Sequence, residues 1–396
     1  MQTTTKECAQ QNGSCCSGAS KSKDDQPKTN SSCCRSNNSS PDKIASVQEY
    51  YGKVLKGTDC LKTSACCDAS APPPHIRECI KNIHPSVLEK FYGCGLCLPQ
   101  YDLTGMKVLD LGSGSGRDVY IASQLVGPTG KVVGVDMTPE QLETARGAQE
   151  YHKDKMGYDN VEILCGYLEK LDEIPELNDQ RFDVIISNCV INLCSDKQAV
   201  LKHCYSLLKE GGELYFSDVY ANCRVPKSLQ DDPVLWGECI SGALYWNDFI
   251  HMARNTGFAD PRLVEDRRIE LNSKPIQQMF ADQGYADSKF YSATYRLWKL
   301  PDLEPASEDY GQAVVYKGTI PRYRSGWLLD KHRYFEQGKV KAVCGNTWRM
   351  LKETCLSNHF DFIGSFDRHF GRFMDCGSGG LGTSFDGTNT TITTTV

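Results

Sequence analysis

Val108-Leu-Asp-Leu-Gly-Ser-Gly-Ser-Gly-Arg117 is an apolar run that breaks into three glycines before apolar residues resume at helical spacing. That pattern predicts a strand, a tight turn and a helix, the local form of a ligand-binding loop. Gly112, Gly114 and Gly116 permit positive φ and leave no Cβ between backbone and ligand, and the amides that follow are expected to face the ligand. Asp110 narrows the chemistry. A carboxylate there would repel a pyrophosphate but would welcome an ammonium or sulfonium group, which favours S-adenosylmethionine over a dinucleotide. The next strand, Lys131-Val-Val-Gly-Val-Asp136, ends in an acid at the position expected of a ribose carboxylate, so Asp136 is the candidate for both ribose hydroxyls.

Outward from these strands the pattern alternates. Strands are predicted over 107–111, 131–136, 161–165, 182–188 and 212–219, with helices over 117–126, 139–156 and 197–209, then a helix over 247–258 and strands over 261–271 and 290–299. This describes a doubly wound, mostly parallel seven-stranded α/β sheet, Rossmann-like, closed by an antiparallel pair, with ligands outside the carboxyl ends of its strands. The third strand runs into Gly166-Tyr-Leu-Glu169, which makes Leu168 and Glu169 the adenine candidates. Earlier, helices are predicted over 44–55, ended by Gly57, and over 75–91. From 302 onward, strands over 313–320, 334–338 and 360–365 around a helix over 347–356 suggest a small α+β unit. The expected organisation is a tail over 1–42, a methyltransferase domain over 43–300, a small C-terminal domain over 301–375 and a second tail over 376–396. Both tails are too polar to offset the entropy of ordering.

The totals exclude several classes of function. The 396 residues are 40% hydrophobic, and 44 basic against 50 acidic residues leave a formal charge of -6, so no excess positive charge exists to neutralise a phosphate backbone and nucleic acid is not an expected partner. No apolar run approaches the ~18 to 20 residues of a membrane span and no secretory pattern opens the chain, so a cytoplasmic protein is expected. Twenty cysteines are about 5% of the chain, below the ~8 to 10% of small disulfide scaffolds, which favours reduced thiols with a task. Cys15-Cys16 and Cys33-Cys34 interrupt the first tail. Cys66-Cys67 precede a stiffening Pro72-Pro-Pro74, and Cys94 stands between Gly93 and Gly95, which are expected to cap a helix and expose the sulfur. Cys189 follows the fourth strand at the cofactor edge, and Cys239 lies in an insert over 220–245 that suits a lid. A packed sulfur is the alternative for each taken singly.

Several segments together resemble the arsenite S-adenosylmethionine methyltransferases: Tyr92-Gly-Cys-Gly95, Asp110-Leu-Gly-Ser-Gly-Ser-Gly-Arg-Asp118, Gly134-Val-Asp-Met137, Ser187-Asn-Cys-Val-Ile-Asn-Leu193, Gly212-Glu-Leu-Tyr-Phe-Ser-Asp-Val-Tyr220 and Leu235-Trp-Gly-Glu-Cys239. The glycine loop is common to class I methyltransferases, whereas the cysteine segments are particular to the arsenic enzymes. The resemblance implies that Cys94, Cys189 and Cys239 bind arsenic(III) and that Cys66, or its neighbour Cys67, is a fourth thiol able to pair with Cys94. It also implies that Met137 and Asn188 contact the cofactor. The implied substrates are arsenite and methylated trivalent arsenicals, with thioredoxin or glutathione as external reductant and a monomeric enzyme. Three thiolates would replace the oxygens of a soft metalloid and leave its lone pair facing the methyl group, so no general base is needed. Two other readings stay open on the residues alone. One is a methyltransferase for a different small molecule, its pocket shaped by Tyr92, Asn188 and Trp236. The other is a non-catalytic arsenic binder using the amino-terminal cysteine pairs.

Overall fold

A computed structural model describes residues 41–54, 72–93, 95–271 and 273–374. Residues 1–40 of the expected first tail, the second tail with Cys376, the Cys66-Cys67 loop and Cys94 lie outside these residues, while Pro41 and Asp42, expected in the first tail, begin a helix.

The chain opens with α1 (Pro41–Glu49), prolonged by a π-helical turn over Tyr50–Val54. The predicted helix over 75–91 is instead two, α2 (Pro74–Lys81) and α3 (Pro85–Leu88), because Pro85 cannot continue a helix but starts one well, with the His84 ring accepting from Ser86 N–H. Next come β1 (Lys107–Leu111), α4 (Arg117–Val126), β2 (Lys131–Asp136), α5 (Pro139–Gly147), α6 (Gln149–Met156), β3 (Val161–Cys165), β4 (Phe182–Asn188), α7 (Lys197–Leu207) and β5 (Leu208–Ala221). The insert holds α8 (Lys227–Gln230), α9 (Pro233–Gly237) and the two-residue β6 (Leu244–Tyr245). It is followed by α10 (Trp246–Thr256), β7 (Arg262–Ile269), α11 (Lys274–Asp282) and β8 (Phe290–Trp298). The closing strands are therefore joined by a helix rather than a short turn. Ser273 and Pro275, at its N-terminal positions, were the signal for it.

The main sheet runs β3-β2-β1-β4-β5-β8-β7, with β6 pairing beside β5. β1 pairs in parallel with β2 (Asp110 opposite Gly134) and with β4 (Asp110 opposite Ile186), while β8 is antiparallel to both β5 and β7. The central strands are buried along almost their whole length, as expected when helices cover both faces. The chain steps outward from β1 to β3 and then returns to β4. The carboxyl ends of β1 and β4 thus flank a topological switch point, where a ligand crevice opens.

The C-terminal residues form β9 (Glu308–Asp309), β10 (Ala313–Tyr316), β11 (Gly326–Asp330), β12 (Arg333–Glu336), β13 (Val340–Ala342), α12 (Gly345–Lys352), β14 (Phe360–Ile363) and β15 (Gly371–Arg372), in three small sheets. The predicted helix over 347–356 starts and stops earlier, and just beyond its end the Thr354 hydroxyl bonds Met350 O in competition with the backbone. Val314, Tyr316, Trp327, Phe335 and Phe360 belong to the same apolar cluster as Val108, Val184 and Ile186. A buried Arg296–Glu213 pair (3.0 Å) links β8 to β5, and Arg296 also donates to Leu329 O (2.7 Å).

Candidate functional site

The crevice at the switch point has a volume of about 960 Å³ counting its open mouth, and Asp110, Gly112, Gly114, Asp118, Asp136, Met137, Leu168, Glu169, Asn188 and Cys189 all line it. Three glycines carry the turn, with φ of +67° at Gly112, +53° at Gly114 and +93° at Gly116, angles that cost other residues ~1 to 2 kcal/mol each. Within the turn itself several amides are bonded to protein. Gly112 and Ser113 N–H donate to Val135 O, Gly114 N–H to Asp136 Oδ2 (2.9 Å) and Gly116 N–H to Ser113 O. Three of these amides are thus committed to β2 and its terminal acid, and Gly116 shapes the start of α4 without lining the crevice.

Carboxylates take the place of those amides. Asp110, Asp118 and Asp136 are each at most 9% exposed, and burial together with the Asp118 and Asp136 charges pushes the Asp110 carboxyl well above its usual range. Burial also raises Asp136, against hydrogen bonds from Thr138, Gly114 and Met137 that lower it. One oxygen of Asp118 is buried without a hydrogen-bond partner, 3.7 Å from the Arg117 guanidinium. Three converging buried acids suit a cation and disfavour an anion, which matches S-adenosylmethionine. Asp136 is held in place by Gly114 N–H at one oxygen and Thr138 N–H at the other. Glu169 is partly committed, since its Oε1 accepts from Ser195 N–H (2.9 Å).

The amino-terminal helix covers the opening. Ile44, Val47 and Tyr51 line the crevice, Gln48 donates to Met137 O (2.8 Å), and Tyr51 meets Tyr92 edge-on at 5.7 Å. The same segment grips the insert. Tyr50 OH donates to Glu238 (2.7 Å), Tyr51 OH donates to Gly237 O (2.8 Å), and the Lys43 ammonium lies 3.9 Å from the Trp236 ring centroid.

At the β4 end of the crevice sits a thiol cluster. Among the described residues only Cys189, Cys239 and Arg322 combine a side chain with left-handed backbone, at φ of +60°, +61° and +73°. Two of the three are the predicted arsenic ligands, and such strain persists only where surrounding structure imposes it. Cys189 N–H donates to Ser217 O (2.8 Å), and Cys239 Sγ approaches Cys189 O at 3.5 Å. The sulfurs of Cys189 and Cys239 and a carboxylate oxygen of Asp218 all lie within 4.8 Å of one another, and all three residues are buried. Asp218 accepts from Val219 N–H (2.8 Å) and Asn192 N–H (3.0 Å), and burial lifts its carboxyl to about 7 despite those bonds. Cys189 is disulfide-bonded. The other described cysteines are thiols, so its partner lies outside the described residues.

A family model described as a methyltransferase domain matches residues 102–257. An arsenite methyltransferase of Aquipseudomonas alcaligenes is 56% identical over 84% of this chain and 94% of its own length. The arsenite methyltransferase of Homo sapiens is 42% identical over 79% and 82%. The chain belongs to the arsenite methyltransferase family. The crystal structure of an arsenic(III) S-adenosylmethionine methyltransferase from Chlamydomonas reinhardtii superposes with a TM-score of 0.72 at 47% identity, covering 76% of this chain and all of that one.

As an arsenite methyltransferase, the chain brings two of its four predicted thiols together, Cys189 and Cys239, and leaves Cys66 and Cys94 outside the described residues. Gly93 and Gly95 do not cap a helix, since α3 ends at Leu88 and neither residue is left-handed. They are small because β4 and β5 come close: a Cβ on Gly93 would stand 2.6 Å from Asn188 Cγ, and one on Gly95 2.8 Å from Ser217 Oγ. Asn188 does line the crevice, but its amide is spent on Gly95, accepting from its N–H (3.2 Å) and donating to its C=O (2.8 Å), and on Asp118 Oδ2 (2.9 Å). It ties the Tyr92–Gly95 loop to β4. Sequence reasoning passed over Asp118, Tyr51 and Asp218. The signal for Asp118 was its acid at the first turn of α4, and for Asp218 its place at the end of an apolar strand, where a carboxylate is costly unless used. Cys97, Cys194 and Cys204 are packed in the interior. Burial raises the thiols of Cys97, Cys194 and Cys204, the last to about 12.

Proposed function

We propose that this chain transfers the methyl group of S-adenosylmethionine to arsenic(III) held by Cys94, Cys189 and Cys239, acting on arsenite and then methylarsenite in arsenic detoxification. The observation that carries this reading is that Cys189 belongs both to the lining of the crevice and to the buried cluster with Cys239. S-adenosylmethionine, when bound, supplies an electrophilic methyl group on a cationic sulfur. Asp110, Asp118 and Asp136 hold that positive charge and the ribose, while Met137 and Leu168 flank the base. Tyr51, Tyr92 and α1 keep water out. Cys189 and Cys239, each set at positive φ by its own loop, fix the metalloid at the β4 end, and holding two reactants in such an arrangement is worth up to ~7 to 11 kcal/mol. No residue need remove a proton from arsenic, whose lone pair is the nucleophile.

Catalysis is assigned to residues 43–300, with 301–375 as a small domain braced against the sheet. Cys66 and Cys94 are the proposed electron source after each transfer, recharged by thioredoxin or glutathione in a monomeric, cytoplasmic enzyme. The disulfide at Cys189 supports sulfur redox chemistry reaching the site, and no helix among the described residues is long and apolar enough to cross a membrane. The test is release of labelled methyl from S-adenosylmethionine with and without arsenite in the presence of a thiol reductant. Arsenite-dependent methylated arsenic is the expected product. Turnover with an organic acceptor and none with arsenite refutes the reading.

A further inference from the structure

Methyl transfer moves a positive charge, and the two ends of its path are not equivalent. At the cofactor end three buried carboxylates, Asp110, Asp118 and Asp136, surround the place where the cation starts. At the thiol end the described residues place one carboxylate near the sulfurs, Asp218, 1% exposed, with an oxygen within 4.8 Å of both Cys189 and Cys239 sulfurs. An atom held between the two sulfurs on the side that faces this oxygen is its near neighbour.

We propose that Asp218 is the carboxylate that stabilises the positive charge developing on arsenic as the methyl arrives. This rests on the function proposed above. The arsenic lone pair forms the As–C bond, the C–S bond of the sulfonium breaks, and its electron pair stays on sulfur as a neutral thioether. The unit charge thereby passes from sulfur to arsenic, which rises formally from three to five, and no proton moves. Without a counter-charge at the receiving end the cation would leave three carboxylates for a buried apolar wall made by Val219, Leu235 and Ile240, which raises the barrier. Asp218 is preset for this role. The backbone amides of Val219, Asn192 and Ile191 hold its two oxygens, so the carboxylate neither rotates nor reorganises during the reaction. The charged group that acts on it is Lys197, 8% exposed, whose Nζ donates to Cys194 O (2.8 Å), and the buried Glu238 beside Cys239 is bonded by Tyr50 OH. Burial lifts the Asp218 carboxyl to about 7, and the backbone amides together with the Lys197 charge oppose that rise in favour of the ionised form.

Single-turnover transfer of labelled methyl to arsenite by the full-length protein, at saturating S-adenosylmethionine, tests the role. Asp218→Asn removes the charge at nearly constant shape and is expected to slow transfer by about 100 to 1000-fold, while the Kd values for arsenite and S-adenosylmethionine stay within about threefold of wild type. Asp218→Glu, which restores the charge, is expected to recover about tenfold or more of that loss. If thermal melting shows that the Asn variant does not fold, Asp218→Ser replaces it, since a hydroxyl can still accept from Asn192 N–H. A neutral variant as fast as wild type overturns the role of Asp218. So does an arsenite-binding defect that accounts for the whole rate loss, because Asp218 would then be a ligand or a prop. Wild-type protein that transfers no methyl to arsenite overturns instead the function on which the role rests.

Discussion

Gly112→Ala separates the two ways in which the glycine loop is constrained. At Gly112 φ is +67°, and a Cβ would lie 2.6 Å from Val190 Cγ2 and 2.8 Å from Val190 Cβ, with Cγ1 closer still. The backbone term is ~1 to 2 kcal/mol and forcing a methyl against a branched side chain adds ~1 to 3 kcal/mol. Together they give about 2 to 5 kcal/mol, or roughly 3 to 7 °C in Tm for a chain of this size. Gly114 provides the control. Its φ is +53°, but the nearest heavy atom to a Cβ is Gln141 Oε1 at 3.9 Å, so Gly114→Ala should show only the backbone term, roughly 1 to 3 °C. Val190 lines the crevice and adjoins Cys189, so Gly112→Ala should also weaken S-adenosylmethionine binding by about tenfold or more, equivalent to ~1.4 kcal/mol. Differential scanning calorimetry and isothermal titration on Gly112→Ala, Gly114→Ala and the double variant Gly112→Ala/Val190→Ala decide the matter. Removing the Val190 side chain should return the double variant to near the Gly114→Ala level plus the modest cost of the missing valine methyls. Equal losses in the two single variants, or a double variant no better than Gly112→Ala, would refute the steric argument.

Other consequences can be checked directly. Cys239→Ser should abolish arsenite methylation while leaving S-adenosylmethionine affinity within about threefold, because Cys239 lies behind Cys189 and does not line the crevice; titration of both ligands tests this. His152, stacked on Tyr120 at 3.5 Å with its Nδ1 against Ala148 O, is lowered by burial from 6.5 to about 4. A depressed folded value means that its stabilisation is full above 6.5 and is lost as pH falls toward 4, by up to ~3 kcal/mol. The pH dependence of Tm over that window should therefore flatten in His152→Phe. Glu213→Gln strands the buried Arg296 and should cost ~3 to 5 kcal/mol, read by chemical denaturation. Removing residues 1–36 should preserve turnover, whereas removing 1–54 should raise the KM for S-adenosylmethionine, because Ile44, Val47 and Tyr51 line its crevice.

What the amino-acid sequence determined by itself was local and periodic. The glycine turn, the acids Asp110 and Asp136 at strand ends, and the alternation of strand and helix follow from backbone sterics and side-chain spacing, which act over a few residues. Cys189 was legible for the same reason, being the first residue past β4. Only the tertiary structure decided what converges. Asp118 becomes a third acid because α4 packs over β1 beside β2, and Asp218 becomes a neighbour of Cys239 because the insert folds back over the end of β5. The left-handed backbone at Cys189 and Cys239 has no local cause, since cysteine has no preference for it. It is imposed by contacts between segments distant in sequence, among them the Ser217 carbonyl that holds Cys189 N–H. Charge and strain at a site depend on neighbours brought together across the sheet, and a one-dimensional pattern does not record those distances.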